Sequence, residues 1–261
     1  VGMPFRGARV VRAAVRHAAR EHGMAAGDLV VFGGGSAGAR GAMVHIDELQ
    51  ASGVLPQGVN VLGFFDSPYW IEMPAVGGVS GVQHDLALQT RELVRNLSSE
   101  EVVRGSGSCA LDEAWKCAFA EFRMPLVKTP FLLVASVYDS YQLQTQGVFC
   151  CPLPQPKQLF FQQAEVFANR SQYEILRLPQ VAKGESGIFL TSCYDHYLSK
   201  WSNFGSARAL GVTMAEALAQ AVAAARAPAR GAEQGTSMPR VVDACGTLNC
   251  GAGCAKQLGT P

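Results

Sequence analysis

At 261 residues, with 48% apolar and 16% charged side chains, the chain can bury a sizeable core in one domain, which excludes an intrinsically disordered segment. Its 22 Lys and Arg stand against 21 Asp and Glu, and a net charge of +1 gives no general attraction to nucleic acid or to an anionic membrane surface. No stretch reaches the ~18–20 uncharged apolar residues that cross a bilayer; the Ala-rich run from Val212 to Ala227 is interrupted by Glu216 and Arg226 and reads as a helix outside any membrane.

The first recognisable element, Arg6 to Glu21, repeats Val10, Val11, Ala14, Val15 and Ala18 at helical spacing with arginines between, an amphipathic helix with one face packed. Val1 follows no charged-then-apolar leader, so the expectation is a chain truncated at its N-terminus. Asp28-Leu29-Val30-Val31-Phe32 reads as a short buried strand that runs into Gly33-Gly34-Gly35-Ser36-Ala37-Gly38. Ala39 to Leu49 returns to helical spacing, so the glycines occupy a strand-to-helix turn. Val61 to Phe65 is a second strand, ending at Asp66-Ser67-Pro68, where the proline stops regular structure. Pro130 to Tyr138 is the clearest strand, with Asp139 at its C-terminal end. Helices over roughly Val82 to Leu97 and Gln158 to Arg170 separate these runs, and Ile188-Phe189-Leu190 is a last short strand before Cys193 and His196. Strands alternating with helices imply the α/β class, with a mostly parallel sheet covered on both faces. From Pro228 onward Gly, Pro, Ala, Ser and Cys dominate, a loop-rich tail.

Gly34-Gly35-Ser36-Ala37-Gly38 matches G-x-S-x-G, in which glycines permit the sharp turn that lifts a serine hydroxyl above the sheet edge at the start of a helix. The rival reading, a phosphate-cradling loop, wants a Lys-Ser/Thr pair after the glycines or a G-x-G-x-x-G spacing with a later acidic residue; the Lys is absent, and Gly33-Gly34-Gly35 with Asp66 on the second strand is what speaks for a nucleotide. A serine hydroxyl needs a histidine to take its proton, and the imidazole needs a carboxylate to hold its tautomer. Asp139 and His196 follow later strands in the order Ser, acid, His. His17, His22, His45 and His84 do not fit that order; Asp66, Glu185 and Asp195 are the other acids, with Asp66 in reserve. Ala37 would offer its backbone N–H to an oxyanion, the second donor coming from an earlier strand-to-helix loop that the chain lacks. Gly35, Ala37 and Trp70 are the candidate oxyanion and binding residues. Phe64, Phe65, Tyr69 and Trp70 are placed to line an apolar pocket, although aromatic residues near a strand end are more often core.

The eight cysteines contain no C-x-x-C pair, which removes the usual zinc-ribbon and thioredoxin spacings and favours disulfides formed in an oxidising compartment. Sequons at Asn96-Leu97-Ser98 and Asn169-Arg170-Ser171 agree with a secreted chain. Cys245, Cys250 and Cys254 are open to metal binding as well, with a disulfide-bearing tail the preferred reading.

Taken together, Gly34 to Gly38, His45-Ile46-Asp47, Asp66-Ser67, Asp139 to Leu143, Ser192-Cys193-Tyr194-Asp195-His196, Cys109 with Trp115-Lys116-Cys117, and Gly235 to Arg240 leading to Cys245 resemble the pectin acetylesterase and Notum family. The resemblance implies an α/β-hydrolase-like fold over residues 1–245, without its N-terminal strands and oxyanion loop, followed by a Cys/Gly-rich tail over 246–261. It implies nucleophile Ser36, acid Asp139 and base His196, with disulfides Cys109–Cys117 and Cys193–Cys245. It also implies a secreted serine carboxylesterase with neither metal nor cofactor. Within such a family plant-like members remove acetyl from pectin and Notum removes a long acyl chain from a Wnt-type protein. The expected substrate is therefore an ester, an acetylated polysaccharide ahead of an acylated protein, and a non-catalytic binding protein is the alternative of a different class. Three departures bear on acyl specificity: the family's oxyanion loop would precede Val1, a cysteine expected near Lys128-Thr129-Pro130 is absent, and Pro68-Tyr69-Trp70 stands where relatives have a Gly-aromatic run.

Overall fold

The computed structural model describes residues 6–73, 85–97, 99–105, 109–145, 157–200, 203–226 and 237–254. His84, Ser98, Cys150, Cys151 and the segment 255–261 lie outside the described residues. In chain order the elements are α1 (Gly7–Glu21), β1 (Leu29–Gly35), α2 (Ala37–Ala51), β2 (Asn60–Asp66), α3 (Leu86–Asn96), α4 (Glu100–Arg104), α5 (Ala120–Arg123), β3 (Phe131–Ser136), α6 (Ser140–Thr145), α7 (Lys157–Leu176), α8 (Pro179–Ala182), β4 (Gly187–Thr191), α9 (Asn203–Ser206), β5 (Arg208–Ala209), β6 (Val212–Thr213), α10 (Met214–Arg226) and β7 (Arg240–Val242).

Strands β1, β2, β3, β4 and β7 form one parallel sheet in that spatial order. Successive side chains of a strand point to opposite faces, and the core divides accordingly. Phe131, Leu133 and Ala135 of β3 join Ile46 and Leu49 of α2 and Phe167 and Ile175 of α7 on one face. Leu132 and Val134 join Phe189, Val241 and Met214, Ala217 and Ala221 of α10 on the other. β3 and β4 are buried along their whole length, as a parallel sheet covered twice requires. Arg123, only 2% exposed, sends its guanidinium to the carbonyls of Met43 (3.3 Å) and Val103 (2.9 Å), joining α2 to α4.

The sequence expectations for α1, α2 and the first four strands agree with these elements to within a few residues, and α7 starts where expected but runs on to Leu176, beyond the expected end at Arg170. Two differences stand out. Val212 and Thr213 form the second strand of a β5–β6 hairpin, and the helix begins only at Met214, because Thr213 Oγ1 accepts from Glu216 N (3.2 Å) and caps it. Arg240–Val242, inside the stretch expected to be a loop-rich tail, is the fifth strand. Three residues carry no period of their own, and only a waiting sheet edge makes them a strand.

Candidate active site

All the chemically interesting residues emerge at the carboxyl ends of the parallel strands, where an open α/β sheet builds its crevice. Ser36 follows β1 and adopts φ 54°, ψ −120° between the strand and α2. Its N–H donates to Asp66 O (2.7 Å) and its carbonyl accepts from Arg40 N (3.1 Å), so backbone bonds on both sides hold the turn. The glycines explain how the turn fits: a Cβ on Gly33 would lie 1.8 Å from Phe64 O, one on Gly34 2.9 Å from Gly38 C, and one on Gly35 1.9 Å from the Tyr197 ring. Ala37 is the first residue of α2, so its N–H has no acceptor within the helix and adds to the positive end of the helix dipole.

His196 lies in the loop after β4. Its Nε2 is 2.7 Å from Ser36 Oγ and its Nδ1 2.7 Å from Asp139 Oδ2. With the imidazole proton on Nδ1 donating to the carboxylate, Nε2 is left to accept the serine hydroxyl. Asp139, 4% exposed, divides its labour: Oδ2 meets His196, while Oδ1 accepts from Gln142 N (3.0 Å) and caps α6. Three residues separated by up to 160 positions are thus brought within hydrogen-bond reach of one another.

Asp66 and Asp195, weighed as acids from the sequence, both stay off the ring. Asp195 accepts from His196 N through Oδ1 (2.8 Å) and from Asn203 Nδ2 through Oδ2 (2.6 Å). Asp66 is fully buried; Oδ1 accepts from Ser67 Oγ (2.9 Å) and Leu198 N (3.1 Å), and Oδ2 from Ser199 N (2.5 Å). Ser67 Oγ in turn accepts from Tyr197 N (2.9 Å). The pair Asp66-Ser67 therefore grips the backbone directly after His196. Burial pushes the carboxyls of Asp66 and Asp195 above the usual range, against the opposing pull of these hydrogen bonds. His45 sits on α2 with Nδ1 3.9 Å from Glu48, and burial pulls its pKa down.

Trp70 is buried, stacked on Tyr141 (centroids 5.6 Å, 15° between planes) and set edge-on to Phe119. Tyr141, half-exposed, stacks in turn on the His196 imidazole at 5.1 Å. Gln142 fastens the segment carrying Trp70, donating to Tyr69 O (2.8 Å) and accepting from Ile71 N (3.0 Å). Phe64 and Phe65 belong to opposite faces of the sheet and do not line one pocket. Sequence reasoning missed Tyr141, Tyr197 and the gripping role of Asp66-Ser67; the only signal was their adjacency to Asp139, His196 and a strand end.

The cysteine pairing is a correction. Cys109 is joined to Cys117, but Cys193 is joined to Cys254, and Cys245 to Cys250, instead of Cys193 to Cys245. The reason lies in how the chain turns after β7. Asp243 holds Cys245 N (3.1 Å) and Ser192 Oγ (2.6 Å), and Asn249 N donates to Ser192 O (2.7 Å), so the segment doubles back. The return brings Cys254, not Cys245, to a Cα separation of 5.1 Å from Cys193, within disulfide range. Among the described residues no group of three His, Cys, Asp or Glu side chains is arranged to hold a metal, and no helix is long and apolar enough to cross a membrane.

The profile of the pectinacetylesterase family matches residues 1–233. Among curated proteins the chain is 25% identical over 228 residues to pectin acetylesterase 11 of Arabidopsis thaliana, covering 82% of this chain and 56% of that protein. It is also 25% identical over 210 residues to the palmitoleoyl-protein carboxylesterase Notum of Schmidtea mediterranea, covering 78% of this chain and 38% of that one. The chain thus spans about half the length, or less, of these relatives. Among solved structures, the Wnt deacylase Notum from Drosophila superposes with a TM-score of 0.72 at 18% identity, over 97% of this chain and 66% of that one, a likeness of fold.

Proposed function

The chain belongs to the pectinacetylesterase family, and on that premise we propose that it is a serine carboxylesterase in which Ser36, His196 and Asp139 act as nucleophile, general base and orienting acid. The observation that carries the reading is the pair of 2.7 Å contacts that link Ser36 Oγ, both imidazole nitrogens and Asp139 Oδ2 in one line. In the first step His196 Nε2 takes the Ser36 proton as Oγ attacks the ester carbonyl, and Asp139 stabilises the imidazolium. The Ala37 N–H, at the positive end of α2, supports the oxyanion. Imidazolium then gives its proton to the leaving alcohol, and water activated by the same nitrogen releases the acid from the acyl-serine. Asp66-Ser67 and Tyr141 act as positioning residues, since they hold the loop and the ring of His196.

For substrate, the proposal is an acetyl ester on a polysaccharide, and for setting, an extracellular one, which the joined cysteines support. The test is a fluorophosphonate reaction and hydrolysis of p-nitrophenyl acetate, butyrate and octanoate, each with Ser36→Ala as control. Labelling confined to Ser36 and a preference for acetate are expected. A folded chain whose Ser36 does not label would sink the catalytic reading, and a preference for octanoate would replace acetyl by a long acyl chain.

A further inference from the structure

α7 carries the sequon Asn169-Arg170-Ser171, which the ester chemistry leaves unused. Its three residues fare differently in the fold. Arg170 donates to Glu121 Oε1 (2.6 Å) and to Glu72 O (2.7 Å), so its side chain has structural work. Asn169 is exposed. Ser171 lies on the buried face of α7 with Ala164, Phe167, Ala168 and Ile175; it is 3% exposed, and its Oγ meets no hydrogen-bond partner among the described residues. An alanine there would be the better helix former and would bury no polar atom. Thr191 Oγ1, also buried without a partner among the described residues, at least stands in β4, where a β-branched side chain suits the strand. Ser171 has no such compensation, so its hydroxyl serves the chain before folding. Successive helical residues turn by ~100°, which points Asn169 and Ser171 about 200° apart. Once α7 has formed, no enzyme can grasp that amide and that hydroxyl together.

The solvent face of the helix has a matching feature. Gln162, Val166, Asn169 and Tyr173 are all exposed, at helical spacing, and form one stripe along α7. Val166 is 57% and Tyr173 55% exposed, so two apolar side chains flank the Asn169 amide in solvent. A bulky polar graft between them would screen both from other chains.

We propose that Asn169 is an N-glycosylation site, modified before α7 folds. The donor is a lipid-linked oligosaccharyl diphosphate of the secretory membrane. Asn169 Nδ2 attacks the anomeric carbon, the bond from that carbon to the diphosphate oxygen breaks, the lipid diphosphate departs and the amide proton passes to a base of the transferase, with no change of oxidation state. Ser171 Oγ is the hydroxyl by which the transferase recognises the unfolded segment. The proposal rests on the extracellular setting given above. It is tested by secreting the chain from a eukaryotic host and mapping its peptides before and after an amidase that removes N-linked glycans in heavy-oxygen water. The Asn169 peptide is expected only after the amidase, with the heavy-oxygen mark on that residue. Ser171→Ala and Asn169→Gln should each lose the glycan, and Ser171→Thr should keep it. Adding Ser171→Ala to Asn169→Gln should leave the unfolding midpoint unchanged or raise it, since neither protein carries the glycan and only the buried hydroxyl differs. A bare Asn169 in the secreted chain overturns the site, and so does a lowered midpoint in the double variant, which would give Ser171 Oγ work in the fold. The Cys193–Cys254 bond in the same digest reports on the setting. A chain with that bond and a bare Asn169 would sink the site and leave the extracellular reading standing.

Discussion

Ser36 occupies φ 54°, ψ −120°, a backbone region that suits glycine and strains a residue with a Cβ. Replacing it by glycine should therefore raise stability by about 1 kcal/mol relative to Ser36→Ala, measurable by thermal or urea unfolding; equal stabilities would mean that the turn stores no strain. Asp139→Asn should leave the fold nearly intact, since Oδ1 can still cap α6, while the labelling rate of Ser36 falls by roughly 10³–10⁴-fold because the imidazole loses the partner that holds its tautomer. Asp66→Asn places an amide N–H against the Ser199 N–H and should cost about 2 kcal/mol, with slower labelling as the His196 loop loosens. Its pH signature has a definite sign. Burial raises the Asp66 pKa above 3.8, so its contribution to stability is fully present below the unfolded value and is lost as pH rises through the folded one. The Asn variant should then lose less stability than the parent between acid and neutral pH, a difference that unfolding curves at the two pH values would reveal.

At the scale of elements, the turn from β1 to α2 shows why a motif is not uniform in what it demands. Gly35 is required because the Tyr197 ring lies where its Cβ would be, whereas a Cβ on Gly38 would meet nothing within 4 Å. Gly35→Ala should destabilise by ~1–3 kcal/mol through overpacking and displace the loop that bears His196. Gly38→Ala, in the first turn of α2, should instead stabilise by up to ~1 kcal/mol through helix propensity. Unfolding midpoints of the two variants that moved in the same direction would contradict this account of the turn.

At the scale of the molecule, the chain closes on itself through the Cys193–Cys254 bond, which spans 61 residues and ties the segment after β7 to the loop after β4. In the chain-entropy description a loop of that length contributes about 4 kcal/mol, more than the short Cys109–Cys117 loop. Cys254→Ser should lower stability by that order and slow Ser36 labelling, because Asn249 Oδ1, which accepts from Tyr194 N (3.1 Å), loses its anchor. Peptide mapping of unreduced protein should recover Cys193 linked to Cys254; recovery of a Cys193–Cys245 link would reverse the pairing.

Local patterning by itself determined the α/β alternation, the first four strands, α2 and the turn between β1 and α2, because each rests on periodicity or on glycines within a few residues of one another. The placement of Ser36, Asp139 and His196 after successive strands is legible for the same reason, since each follows an apolar run that local sequence marks out. What only the tertiary structure decided are the relations that no local window contains. Which cysteine meets Cys193, which carboxylate faces the imidazole and which one grips the loop behind it depend on how loops from separate strands fold over one sheet edge. The same holds for Arg240–Val242, a strand only because β4 offers its edge.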